Sequence, residues 1–255
     1  MASNTTRNTV LAILGFFIGW LALDRLAVAL GSFRGEWGLP VALATLAVLI
    51  LFEIIAFRTP LRDIPKALGF VRSRLRPSLA ILVLCLALIG FLPAYALATG
   101  TPIALDPAWP IRAIGIFLQA GIAEETLFRG FLFRHLRQDR GFWSAALLSA
   151  VPFVAVHLIL FDSNNWQIAL AAVLVSVSLS FPLAWAFERT GNSVWMVALL
   201  HAVIQGCIKL VLAPEQSFLP MALVWMVVSA LLPWLLFMIS SKNHGVAQVN
   251  SKANN

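Results

Sequence analysis

The chain has 255 residues, 60% hydrophobic and only 11% charged, with a mean hydropathy of +0.90; a water-soluble domain of this composition would expose a large apolar surface, so the expected solvent is the bilayer. The net charge of +7 does not signal nucleic acid, because the basic residues sit between apolar runs and not along one face interleaved with aromatics. Two cysteines, Cys85 and Cys207, both inside apolar runs, speak against a disulfide framework and against a thiolate metal site.

Crossing roughly 30 Å of hydrocarbon takes about 20 apolar residues at 1.5 Å each. Runs of this kind fall at about 9–31, 39–57, 78–99, 111–134, 143–162, 166–188, 193–213 and 217–240. They predict an all-α, polytopic membrane helix bundle of about eight transmembrane helices, one integral membrane domain over 1–240, followed by a disordered polar tail over 241–255. The first run lacks an A-x-A-like cleavage site and continues apolar past Gly31, so it is read as a retained span and not as a signal peptide.

Lysine and arginine collect in alternate loops. One side holds Arg58, Arg62, Lys66, Arg72, Arg74 and Arg76, then Arg134, Arg137 and Arg140, then Arg189, then Lys242 and Lys252; the loops 32–38, 100–110, 163–165 and 214–216 opposite hold Arg34 as their basic residue. That asymmetry predicts that both termini are cytoplasmic, and the short loops and compact length suggest a prokaryotic plasma membrane. Segment 59–77 mixes basic and apolar residues, as a headgroup-plane segment or a solvated loop would. Trp20, Trp37, Trp109, Trp143, Trp166 and Trp195 are read as interface markers.

Ionisable groups inside a bilayer cost roughly 2.5–3.5 kcal/mol even on permissive insertion scales, so each needs a partner or a function. They concentrate in the fourth run, where Glu124 and Glu125 lie about 15 Å and 13 Å along the helix from Arg134. Glu125 and Arg129 are four apart on one face and can pair, whereas Glu124 points about 100° away and stays free. Glu124 is therefore the candidate general base; a purely structural ion-pair network is the competing account. His157 in the fifth run and His201 in the seventh supply polar groups from two further helices, and the three can converge only on a polar cavity that admits water. Such a set could activate water directly, or through a bound Zn2+ held by Glu124, His157 and His201. No H-E-x-x-H is present, and a metal-free glutamate mechanism is equally compatible. Gln205, one turn beyond His201, could donate its amide N–H to an oxyanion.

These residues resemble the family of CAAX proteases and bacteriocin-processing proteins, the type II CAAX prenyl endopeptidase-like proteins, whose motifs are E-E-x-x-x-R, F-x-x-x-H and H-x-x-x-(N/D). The first reads Glu124-Glu125-Thr126-Leu127-Phe128-Arg129, followed by Gly130; the second runs from Phe153 to His157; the third from His201 to Gln205, with Gln in place of Asn or Asp. The resemblance covers about residues 108–213. It implies that Glu124 with His157 activates the water, that His201 with Gln205 binds the oxyanion, and that Glu125, Arg129 and Phe153 support the site. It also implies an intramembrane endopeptidase acting from the cytoplasmic side on a membrane-associated peptide or lipoprotein-like substrate, with the bilayer as surroundings. Gln205 is one methylene longer than Asn, so its oxyanion role needs some helix adjustment.

Asp24, Arg25, Glu53 and Lys209 also fall in apolar runs but outside the motifs, and pairing or snorkelling is expected for each. His135 is expected to be an interfacial cation, and Ser193 an N-cap. The competing function is a non-enzymatic membrane binding protein, such as a bacteriocin immunity or scaffold factor, in which the polar cluster only holds helices together. A transporter using Glu124 as a proton carrier ranks last, because no pair of broken helices occupies corresponding halves.

Overall fold

The computed structural model describes residues 2–163 and 165–238; the predicted tail over 241–255, with Lys242 and Lys252, lies outside them. The described residues form an all-α bundle. Its helices are α1 (Ala2–Leu30), α2 (Gly38–Ile55), α3 (Leu75–Thr99), α4 (109–137), α5 (Phe142–His157), α6 (Trp166–Arg189), α7 (Val194–Lys209) and α8 (Glu215–Leu231). Six helices are long and apolar enough to cross a membrane, and only 28–39% of each most apolar stretch is buried inside the protein. The outward residues are large and apolar, Leu97 at 87% exposure among them. With α4 and the shorter apolar helix α7, this makes the eight predicted segments of a multi-pass integral membrane protein.

The α4 segment departs from simple helix. It is α-helical over Trp109–Ile116, widens to π-helical pairing over Phe117–Ala123 and Thr126–Phe133, and returns to α-helix over Arg134–Arg137. The Glu124 N–H donates to the Gln119 carbonyl, five residues back, and the Arg134 N–H to that of Arg129. Such widening re-aims side chains and concentrates at functional sites; here it flanks Glu124 and Glu125 on both sides.

Two glycines let neighbouring backbones approach α4. A Cβ at Gly121 would stand 2.7 Å from the carbonyl oxygen of Ala198 on α7, and one at Gly130 would collide with the carbonyl oxygen of Leu68. The first contact draws α7 against the carboxylate pair. A two-residue clip absent from the all-α expectation does the same from outside: β1 (Ala104–Leu105) pairs antiparallel with β2 (Val211–Leu212), and the Asp106 N–H donates to the Leu210 carbonyl at 2.8 Å. It ties the entry of α4 to the exit of α7.

Segment 59–77 packs in part against the bundle and is not a wholly solvated loop. Ile64, Ala67 and Leu68 are buried, Gly69 accepts from the Val194 N–H at 2.9 Å, and Arg134 donates to the Ala67 carbonyl, while Arg74 and Arg76 stay exposed. Ser193 does stand at the start of α7, but its hydroxyl donates to the Val71 carbonyl at 2.8 Å and caps no helix N–H. His135 also differs from expectation: it is 8% exposed, stacked on Phe57 at 3.8 Å and joined to Glu53 at 2.7 Å. Burying both partners together spares either a bare charge. Trp20 lies mid-helix in α1 and lines a small cavity, unlike the terminal, exposed Trp37, Trp143 and Trp166.

Candidate active site

Glu125 is fully buried and Arg129 is 3% exposed, so neither could remain charged there alone. The Arg129 guanidinium donates to Glu125 Oε1 at 2.9 Å, as the four-residue spacing predicted, and more distantly to the Leu179 carbonyl at 3.4 Å. The same Oε1 lies 2.7 Å from His201 Nδ1. A carboxylate only accepts, so Nδ1 carries the proton of that bond. The other ring nitrogen, Nε2, is thereby aimed toward Glu124, whose Oε2 stands 3.9 Å away. Thus Glu125 is the shared anion of two cations or donors, and Glu124 keeps its carboxylate for something else.

His157 is fixed by its own helix. Its Nδ1 donates to the Phe153 carbonyl at 2.7 Å, since a backbone carbonyl can only accept, which leaves Nε2 as a lone pair. The Phe153 ring packs edge-on against the imidazole at 4.7 Å, and the Arg129 guanidinium sits 5.0 Å over that ring. Phe153 therefore connects the ion pair on α4 to the histidine on α5 by its ring and orients the histidine by its carbonyl. This is a physical account of the F-x-x-x-H spacing: the i, i+4 offset brings the ring nitrogen to that carbonyl.

Glu124, His157, His201 and Gln205 line one cavity of about 350 Å3. Its other walls are apolar, with Val175, Leu179 and Trp225 among them. His157 on α5 and Glu124 on α4 reach the same cavity. The lining comes from the middle of α4, the second half of α5, largely the first half of α6, and the second halves of α7 and α8. The α5, α6 and α7 portions lie toward the loops poor in lysine and arginine, whereas Trp225, Met226 and Ser229 of α8 lie toward the other end of that helix.

Two residues join the cluster that the motif reading set aside. Lys209 lines the same cavity; its spacing of i+4 from Gln205 and i+8 from His201 was the signal available in the sequence. Asp24 lines a smaller cavity of about 150 Å3 that shares Glu124 and His157 with the first, and no spacing within α1 could have revealed it. Arg25 lies 3.6 Å from Asp24 and is largely exposed, in keeping with the expected pairing.

Among the described residues, no three His, Cys, Asp or Glu side chains converge closely enough to hold a metal ion. His201 Nδ1 is engaged by Glu125 and His157 Nδ1 by the Phe153 carbonyl, which leaves Nε2 of each ring as the nitrogen available to a metal or a water.

A comparison with curated protein sequences found no match. A family model described as type II CAAX prenyl endopeptidase Rce1-like matches residues 106–207, a stretch that begins before α4 and contains all three motifs. That match supports a CAAX-type intramembrane endopeptidase in general terms. Over the segment that holds the three motifs, this chain therefore carries the sequence pattern of the Rce1-like type II CAAX prenyl endopeptidases.

Proposed function

We propose that this protein is an intramembrane endopeptidase that hydrolyses a peptide bond of a membrane-associated, CAAX-like or bacteriocin-type substrate with water activated by Glu124 and His157. One observation carries the reading: four polar side chains from three helices line one cavity, while the remaining intramembrane charges of the motif, Glu125 and Arg129, neutralise each other behind it. In this reading Glu124 takes a proton from the water while His157 Nε2 accepts the water's second hydrogen bond and holds its position. Attack on the substrate carbonyl forms a tetrahedral oxyanion. Gln205 donates an amide N–H to it, and His201 donates from Nε2 in its imidazolium form, oriented by Glu125 at Nδ1. Collapse breaks the C–N bond as Glu124 passes its proton to the leaving amine.

The test is cleavage of a quenched-fluorescent library of membrane-compatible peptides by the purified protein in detergent. Two outcomes are expected beyond turnover itself. Gln205→Ala lowers kcat about 10²–10³-fold with little change in KM, because an oxyanion donor acts only after attack. Excess EDTA or phenanthroline leaves the rate unchanged; loss of activity on chelation, restored by Zn2+, would replace the metal-free mechanism. A folded protein that cleaves no peptide in the library, while binding one tightly and without turnover, would favour the immunity or scaffold reading.

A further inference from the structure

A separate cavity of about 320 Å3 opens at the end of the bundle that carries the basic loops. Its walls come from the start of α1, the turn after α2 and the end of α4. Each contributes an arginine, Arg7, Arg58 and Arg134 in that order, with the amides of Asn8 and Gln138 beside them. Glu53 is the one carboxylate among the described residues of the lining, and both its oxygens are engaged: Oε1 by His135 Nε2 at 2.7 Å, and Oε2 by the Thr59 hydroxyl at 2.6 Å. Arg134 donates to the Ala67 carbonyl and feels the Glu53 charge from beyond ion-pair distance. Among the described residues, none of the three guanidinium groups has an ion-pair partner. Three like charges around one hollow favour an anion within it.

The walls are fixed without help from Arg7 or Arg58. The Arg140 guanidinium donates to Thr9 Oγ1 at 2.8 Å, joining α1 to the turn after α4, and the Thr59 N–H donates to the Glu53 carbonyl at 2.9 Å, closing the turn after α2. Arg58 holds a φ of +55°, a left-handed conformation that is costly for an L side chain and free for glycine. Strained residues of this kind cluster at ligand sites. Arg7 is the second residue of the span Thr6–Leu30, and Arg58 follows the span Gly38–Ile55 by three residues, so the cavity lies at the depth of the lipid headgroups. Planar guanidinium forks match phosphate oxygens in pairs. A terminal phosphate offers three acceptor oxygens and up to two negative charges, whereas a phosphodiester keeps fewer of both to set against three arginines. We propose that this cavity binds a phosphomonoester group, carried by an anionic lipid headgroup or by a soluble phosphate compound. It shares no lining residue with the Glu124 cavity and does not rest on the protease reading.

The test measures binding of dioctanoyl-phosphatidic acid, dioctanoyl-phosphatidylglycerol, dioctanoyl-phosphatidylcholine and inorganic phosphate to the full-length protein in a non-ionic detergent. The parent protein is expected to bind the phosphatidic acid at least tenfold more tightly than either diester lipid. Arg7→Gln with Arg58→Gln removes that preference. Arg72→Gln with Arg76→Gln, an equal loss of charge at two exposed arginines of the basic loops outside the cavity, retains it. Phosphatidic acid bound at least tenfold more tightly than inorganic phosphate identifies the lipid headgroup as the source; inorganic phosphate bound as tightly, and lost in the same variant, identifies a soluble phosphate. Equal affinity of the parent for phosphatidic acid and the diester lipids, an undiminished preference in the Arg7 and Arg58 variant, or an equal loss in the Arg72 and Arg76 variant overturns the site. Where the double replacement does not fold, Arg58→Gly decides: it relieves the positive φ, so the thermal midpoint holds or rises while phosphatidic acid affinity falls at least threefold, and an unchanged affinity overturns the site equally.

Discussion

Replacing Glu124 by Gln is expected to lower kcat/KM about 10²–10⁴-fold, the range attributable to a positioned general base, with no loss of thermal stability. The two halves of this result have separate origins. The Glu124 carboxylate has no hydrogen bond to any described residue, and its nearest charged neighbour is His201 Nε2 at 3.9 Å. The amide has the same shape and removes a charge from a low-dielectric cavity, so the fold gains or holds. The chemistry loses its proton acceptor outright. Hydrolysis and unfolding would be measured on the same preparations. A Glu124→Gln protein that retains full turnover ends the mechanism proposed here, and one that unfolds while losing activity assigns Glu124 to the structural network instead.

Glu125→Ala is expected to behave in the opposite way. It strips Arg129, 3% exposed, of its only carboxylate partner among the described residues and leaves it one long contact to the Leu179 carbonyl. Breaking a buried pair from one side costs about 3–5 kcal/mol, because the surviving charge is neither paired nor solvated. The double replacement Glu125→Leu with Arg129→Met removes both charges and should recover most of that stability. It should not recover activity, since His201 would lose the acceptor that fixes Nδ1. Thermal unfolding of the parent, Glu125→Leu, Arg129→Met and the double variant forms a cycle; additive losses would mean that the pair contributes nothing as a pair.

These two residues show how far the primary structure could be read. The eight apolar runs emerge because a span must be continuously apolar over about 20 residues, a signal no tertiary contact can erase. Glu125 with Arg129 was legible for a similar reason: both partners lie on one helix at a spacing set by helix geometry alone. Partners distant in sequence were not. His135 and Glu53 are 82 positions apart, and nothing in either local pattern points to the other, so His135 read as a helix-end cation. The β1–β2 clip joins segments more than 100 residues apart through backbone groups, which carry no side-chain signature at all. The π-helical widening of α4, in the two stretches that contain Gly121 and Gly130, leaves no periodicity of its own. Lys209 was in plain view at i+8 from His201; it was set aside because the motif ends at Gln205.

The single oxygen Glu125 Oε1, shared by Arg129 and His201, also constrains how this chain can diverge. Under the proposed mechanism, a lineage that no longer needed hydrolysis could exchange Glu124 in one step at little penalty. Positions 125, 129 and 201 have no such freedom, because each single replacement strands a buried polar partner and only a concerted change escapes the penalty. Descendants stripped of activity would therefore keep the glutamate, arginine and histidine of this triad as fossils of the fold. Among such sequences the residue at position 124, and not the motif as a whole, would distinguish a working hydrolase from a relic.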